Sequence, residues 1–189
     1  MNHLQLRIRE GTIALTWNSA GKLTRLDWYE GVGGSDSRSC GGWSVLDQAA
    51  SLPPNIQSMV SQMRAYFTAG EPMPQVPWEW LDLAGCSDFQ SAVYRAISII
   101  PHGETRTYAW VAKRIGKFAP RAVGQALRRN PFPMVLPCHR VVATGDTLGG
   151  FMGSSDPNEP ELRLKKWLLD LENEYRNPVF SFLNGGLSA

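Results

Sequence analysis

The apolar residues of this chain change their spacing along its length, and that change limits the folds open to it. Leu4, Leu6 and Ile8 alternate, and Thr12 to Trp17 and Lys22 to Tyr29 follow as two more strand-like runs. A period of two puts every second side chain on one face of a sheet. Asn18-Ser19-Ala20-Gly21 lies between the second and third runs and predicts a hairpin turn. From Asn55 to Ala69 the spacing becomes helical, with apolar residues at 56, 59, 60, 63, 66 and 67 and a stop at Gly70. Gly31 to Gly42 reads as a loop, and Trp78 to Leu83, after a Pro-rich stretch, as a short strand. Past residue 85 helical spacing takes over. Ser87 or Asp88 caps a helix that turns Phe89, Val93, Ala96, Ile97 and Ile100 to one side, and Pro101-His102-Gly103 ends it. The expected architecture is an α/β N-terminal domain over 1–85, a mainly helical C-terminal domain over 86–175, and a tail over 176–189.

Charge changes at the same place. Residues 1–88 carry 6 Lys/Arg against 9 Asp/Glu, and residues 89–189 carry 13 against 8. Between Arg95 and Arg140 there are nine basic residues and one acidic residue, Glu104. Such a gradient is steeper than a solvated face requires and points to a polyanion, most simply nucleic acid. The three cysteines have no close pairing that would make a disulfide framework, there is no secretory signal pattern, and no apolar run reaches membrane-span length. The expected location is intracellular, cytoplasmic in a bacterium and nuclear in a eukaryote.

Inside the basic segment, Thr107 caps a helix over 108–115, Gly116 to Ala119 makes a turn, and Pro120 opens a second helix ending at Arg129. Val123, Ala126 and Leu127 face the core on this spacing, and Arg121, Gln125, Arg128 and Arg129 face outward. An ordinary helical hairpin and a helix-turn-helix that reads DNA both fit this pattern. Arg121 favours the second. A cation in the first turn opposes the helix macrodipole at a cost of roughly 0.3–1 kcal/mol, which suggests a duty elsewhere.

The apolar run Phe132-Pro133-Met134-Val135-Leu136 reads as a buried strand, and Pro137-Cys138-His139-Arg140 stands at its exit. A thiol beside an imidazole can be a nucleophile with its base. It can equally be a buried structural cysteine, since free cysteine is among the most buried residue types.

Six ordered motifs bear on that choice. They are Gly103-Glu104-Thr105-Arg106-Thr107-Tyr108, Arg121-Ala122-Val123-Gly124, Asn130-Pro131, Pro137-Cys138-His139-Arg140-Val141-Val142, Gly149-Gly150-Phe151, and Lys165-Lys166-Trp167-Leu168-Leu169 followed by Glu172. Together they closely resemble the O6-alkylguanine-DNA alkyltransferases over about residues 86–175. Residues 1–85 are compatible with that family's ribonuclease-H-like N-terminal domain. The resemblance implies a single-turnover repair protein that moves the alkyl group of O6-alkylguanine in double-stranded DNA, with O4-alkylthymine as the related lesion, onto its own cysteine, irreversibly and without a cofactor.

It further implies roles residue by residue. Cys138 is the nucleophile, His139 the base acting through a water, and Glu172 the carboxylate that orients His139. Asn130 braces the turn carrying the thiol, and Tyr108 donates a hydrogen bond to the flipped base. Arg121 fills the gap in the DNA stack, while Thr107, Gln125, Arg128, Arg129 and Arg140 hold DNA. The backbone of Val141 and Val142, with Phe151, Met152 and Pro133, lines the guanine and alkyl pocket.

Two of these roles have support apart from the resemblance. Glu172 lies at the edge of the apolar stripe Leu164, Leu168 and Leu171, where a carboxylate needs a partner. Chemistry on a paired base also requires its extrusion, hence phosphate-binding cations and a wedge. Tyr108 also reads as a half-buried helix residue, and Asn130 as a helix C-cap. His3 and His102 read as surface residues. His3, Cys40, Cys86 and His102 match no zinc spacing, so no metal is expected. The loop from Gly153 to Leu162 is longer and more acidic than the family's usual connection, and Phe151-Met152 departs from its common tyrosine and small polar residue. Both changes sit on the alkyl side and suggest tolerance for bulkier adducts. The alternatives are a non-catalytic alkyltransferase-like lesion binder, which would lack the reactive cysteine, a helix-turn-helix regulator, and a cysteine hydrolase. No dimerisation signal is present, so a monomer is expected.

Overall fold

The computed structural model describes residues 2–31, 44–45, 52–145 and 147–176. The alternating runs form strands β1 (Asn2–Ile8), β2 (Gly11–Trp17) and β3 (Leu23–Tyr29), joined by β4 (Ser44–Val45) in an antiparallel sheet of order β3-β2-β1-β4. The hairpin between β2 and β3 forms where its turn residues stand. Asn18 Oδ1 accepts hydrogen bonds from the Ala20 and Lys22 amides, both at 3.0 Å. Leu4, Leu15 and Leu26 sit in register across three strands and are buried. Helix α1 (Pro54–Ala69) contributes Ile56, Met59, Met63, Tyr66 and Phe67 to the same core.

The second half is helical. α2 (Asp88–Ser98) begins at a capping box in which the Ser87 side chain and Gln90 exchange hydrogen bonds. A two-residue strand β5 (Arg106–Thr107) leads into α3 (Tyr108–Arg114), then α4 (Pro120–Arg128), strand β6 (Val141–Val142) and α5 (Pro160–Arg176). Val123, Ala126 and Leu127 are buried, while Arg121, Gln125, Arg128 and Arg129 are exposed, as the spacing requires. β5 and β6 pair in parallel, Arg106 with Val141 and Thr107 with Val142, which sets the start of α3 beside the turn carrying Cys138. Among the described residues, no helix is long and apolar enough to cross a membrane.

Two expectations fail locally. Trp78–Trp80 forms a 3-10 turn rather than a strand. Pro77 and Trp78 carbonyls accept from the amides of Trp80 and Leu81, leaving only Leu81 to bridge Leu23. Residues 132–136 do not extend either. The Leu136 amide returns to the Phe132 carbonyl at 2.8 Å, Pro133 bridges Leu136, and Met134 takes a left-handed φ of 72°. The segment is a buried turn because Asn130 ties both of its ends, a constraint that apolar spacing cannot reveal. The outer edge of β3 holds the start of this turn, with the Leu26 amide donating to the Pro131 carbonyl at 2.8 Å. The Gly31 to Gly42 loop, apart from Gly31, and all of the tail after Arg176 lie outside the described residues.

Candidate active site

Cys138 opens a 3-10 turn, Cys138–Arg140, and is buried. Asn130 fixes it there. Its side-chain amide donates to the Leu136 carbonyl at 3.0 Å and to Cys138 Sγ at 3.2 Å, and its Oδ1 accepts from the Phe132 amide at 3.0 Å. Burial pushes the Cys138 thiol above its ordinary range, and the Asn130 amide and the Lys165 ammonium pull it back only in part. The resting group is therefore a thiol, and a nucleophile arises only when its proton leaves.

His139 stands behind it, wholly buried. Its Nε2 lies 2.8 Å from Glu172 Oε1. An ionised carboxylate can only accept, so Nε2 carries the proton and donates. Nδ1 is the lone-pair nitrogen of the neutral ring and has no hydrogen-bond partner among the described residues. Burial lowers the His139 pKa against the pull of Glu172, so the ring rests neutral. Burial alone would raise Glu172, but His139 and Arg140 outweigh it and hold the carboxyl far below the usual range. That carboxylate, fully buried on α5, also accepts from Tyr66 Oη at 2.8 Å and from the Gly103 amide at 2.9 Å.

Arg140, expected on the DNA-holding surface, is buried instead. It is 8% exposed, and its Nε and Nη2 reach Glu172 at 2.9 and 3.0 Å while Nη1 donates to the Ile100 carbonyl at 2.8 Å. A buried carboxylate needs a fixed cation, and Arg140 supplies it. His102 is not a surface residue either. Its Nδ1 lies 3.8 Å from Glu172 Oε1, and its ring packs edge-on against Tyr66 and Tyr175. Cys40 lies outside the described residues.

Cys138 opens onto a cavity of about 450 Å³ lined by Tyr108, Arg121, Gly124, Gln125, Arg128 and the loop Gly150 to Ser155, which includes Phe151 and Met152. Pro133 and Arg129 line a second cavity, about 350 Å³, that meets the first at Cys138 and Met152. Val141 and Val142 line neither, because Val141 is buried and its carbonyl is engaged by Lys165. Thr107 caps α3, accepting from the Trp110 amide at 3.1 Å. Tyr108 Oη donates to the Gly150 carbonyl at 3.0 Å across the cavity mouth. Gly149 makes that approach possible: a Cβ there would lie 2.9 Å from the Tyr108 ring, at a φ of 66°.

Lys165 is the residue that spacing should have flagged. It is buried on α5 and donates to the carbonyls of Val141 and Leu148, both at 2.6 Å, and of Gly150 at 3.1 Å. Burial lowers its pKa to about 8. A lysine three residues before Leu168 and seven before Glu172 shares their helix face. Tyr66 carries no comparable signal, since its hydroxyl acts across the whole molecule from α1.

A thiol pinned at a cavity, backed by an imidazole and a buried carboxylate, is the arrangement of a candidate cysteine nucleophile. The paired helices α3 and α4 set a cationic surface at the same opening. The family model for the 6-O-methylguanine DNA methyltransferase, DNA binding domain, matches residues 88–174. A methylated-DNA–protein-cysteine methyltransferase of Mycobacterium leprae is 43% identical over 124 residues, 64% of this chain and 68% of that protein. One from Methanothermobacter thermautotrophicus is 45% identical over 92 residues, 49% of this chain and 48% of its own length. The match thus spans about half of that archaeal relative. The crystal structure of Mycobacterium tuberculosis OGT in complex with DNA superposes with a TM-score of 0.63 at 31% identity, covering 88% of this chain and 89% of that one. The chain belongs to the methylated-DNA–protein-cysteine methyltransferase family.

Proposed function

We propose that the protein repairs DNA directly, transferring the alkyl group of O6-alkylguanine in double-stranded DNA to Cys138, once per molecule. The observation that carries this reading is the pinned thiol at the cavity, with a neutral His139 behind it whose basic nitrogen meets no hydrogen-bond partner among the described residues. In the reaction the carbon–sulfur bond forms as the carbon–O6 bond breaks. The thiol proton passes to His139 Nδ1 through a water, and Glu172 stabilises the imidazolium that results. Tyr108, released from Gly150, donates to the departing guanine.

The same reading makes α3 and α4 a helix-turn-helix, with Arg121 entering the stack and Gln125 and Arg128 on the backbone. Residues 1–85 form a ribonuclease-H-like domain, consistent with the antiparallel order β3-β2-β1, and residues 86–175 form the transfer domain. The protein acts as a monomer inside the cell, in the cytoplasm of a bacterium or the nucleus of a eukaryote. Stoichiometry tests the reading. With excess O6-methylguanine duplex, methyl removal should stop at one per protein molecule. Continued turnover would point to a different chemistry.

A further inference from the structure

Phe118 is 98% exposed, far beyond the other exposed large apolar residues, Tyr29, Ile99 and Tyr175. A single exposed apolar residue is ordinary on a protein surface, but the position of this one is not. It projects from the turn between α3 and α4, three residues before Arg121. Both ends of that turn are fixed. Gly116, at a φ of 68°, lets its own amide reach the Lys113 carbonyl at 3.0 Å and the Lys117 amide reach the Ala112 carbonyl at 2.9 Å. Pro120 then sets the first residue of α4. Lys113, Arg114, Lys117 and Arg121 around it are exposed, and no Asp or Glu occurs between Thr105 and Gly145.

An exposed aromatic ring on a turn held at both ends, among exposed cations, suits a polyanion that also offers apolar faces. Nucleic acid has both: phosphates for the cations and base or sugar faces for the ring. A protein partner would have to place acidic groups all around the ring.

We infer that Phe118 is a second DNA-contacting wedge, packing against the base step beside the extruded nucleotide while Arg121 occupies the gap itself. Apolar side chains that enter partly unstacked steps hold a duplex open in this manner. This inference rests on the alkyl-transfer reading and adds a residue to its DNA interface.

The test compares the full-length protein with Phe118→Ala and Phe118→Trp, using an O6-methylguanine duplex and measuring binding over a range of salt and the transfer rate. Phe118→Ala should weaken both binding and transfer by about five- to tenfold, as expected for a lost stacking contact. The slope of log affinity against log salt should not change, because no phosphate contact is removed. Phe118→Trp should restore both. Equal duplex affinity and transfer for Phe118→Ala would overturn the inference. So would self-association of the wild type that Phe118→Ala abolishes while DNA affinity is untouched. If the wild type transfers no alkyl group yet Phe118→Ala still weakens binding, the wedge stands and the alkyl-transfer reading falls.

Discussion

Glu172 Oε1 lies 2.8 Å from His139 Nε2, and Glu172 Oε2 lies 2.9 Å from Arg140 Nε, so one buried carboxylate holds two consecutive residues of the turn that starts at Cys138. His139 takes its tautomer from this contact, and Arg140 takes its burial from it. The conformation of both residues behind Cys138 therefore depends on one side chain.

Glu172→Gln tests both contacts at once. The amide cannot match the charge of Arg140, and breaking a buried pair costs about 3–5 kcal/mol. Urea unfolding should show a loss of that size, and alkyl transfer should fall with it. The wild type carries the same dependence in its pH profile. Glu172 is held below its ordinary value of 4.5, so its contribution is complete above pH 4.5 and is lost as pH falls below it toward the folded-state value. A melting temperature that drops below pH 4.5 in the wild type, and drops less in Glu172→Gln, is the expected result. Parallel profiles would separate Glu172 from acid stability.

Lys165 is placed to act on the thiol from α5. Its ammonium is among the groups that lower the Cys138 pKa against the effect of burial, so Lys165→Met should move it upward. The midpoint of Cys138 alkylation by iodoacetamide against pH reads this directly. It should rise, and the neutral-pH alkylation rate should fall with it. An unchanged midpoint would leave Lys165 as a tether for the Val141, Leu148 and Gly150 carbonyls alone.

On the alkyl-transfer reading, the loop after Phe151 should set the size of adduct accepted. Gly150 to Ser155 borders the first cavity, and the second cavity opens past Met152. O6-methylguanine and O6-benzylguanine oligonucleotides should react at rates within about tenfold of each other, a difference under roughly 1.4 kcal/mol. Activity confined to the methyl adduct would show that the loop closes the site instead.

Much of this was legible in the residues. The alternation of Leu4, Leu6 and Ile8 and the stripe Val123, Ala126, Leu127 describe surfaces that one element must bury, so local spacing reports them. Asn130 and Cys138 were visible as motif positions, although the turn between them was not. Phe132 to Leu136 is as apolar as a strand, and only the two-ended grip of Asn130 bends it. Arg140 and His102 were misjudged for a related reason. Charged and polar types are usually exposed, and the carboxylate that draws these two inward lies more than thirty residues away on α5. Tyr66 is further still, joined to Glu172 only by the packing of α1 onto the second half of the chain.

The most direct measurement is the mass of the intact protein after incubation with a duplex containing O6-methylguanine. The protein should gain a single methyl group, located on the peptide holding Cys138 and absent from Cys138→Ser. Tight binding with no gain in mass, or a methyl group found on another residue, would contradict it.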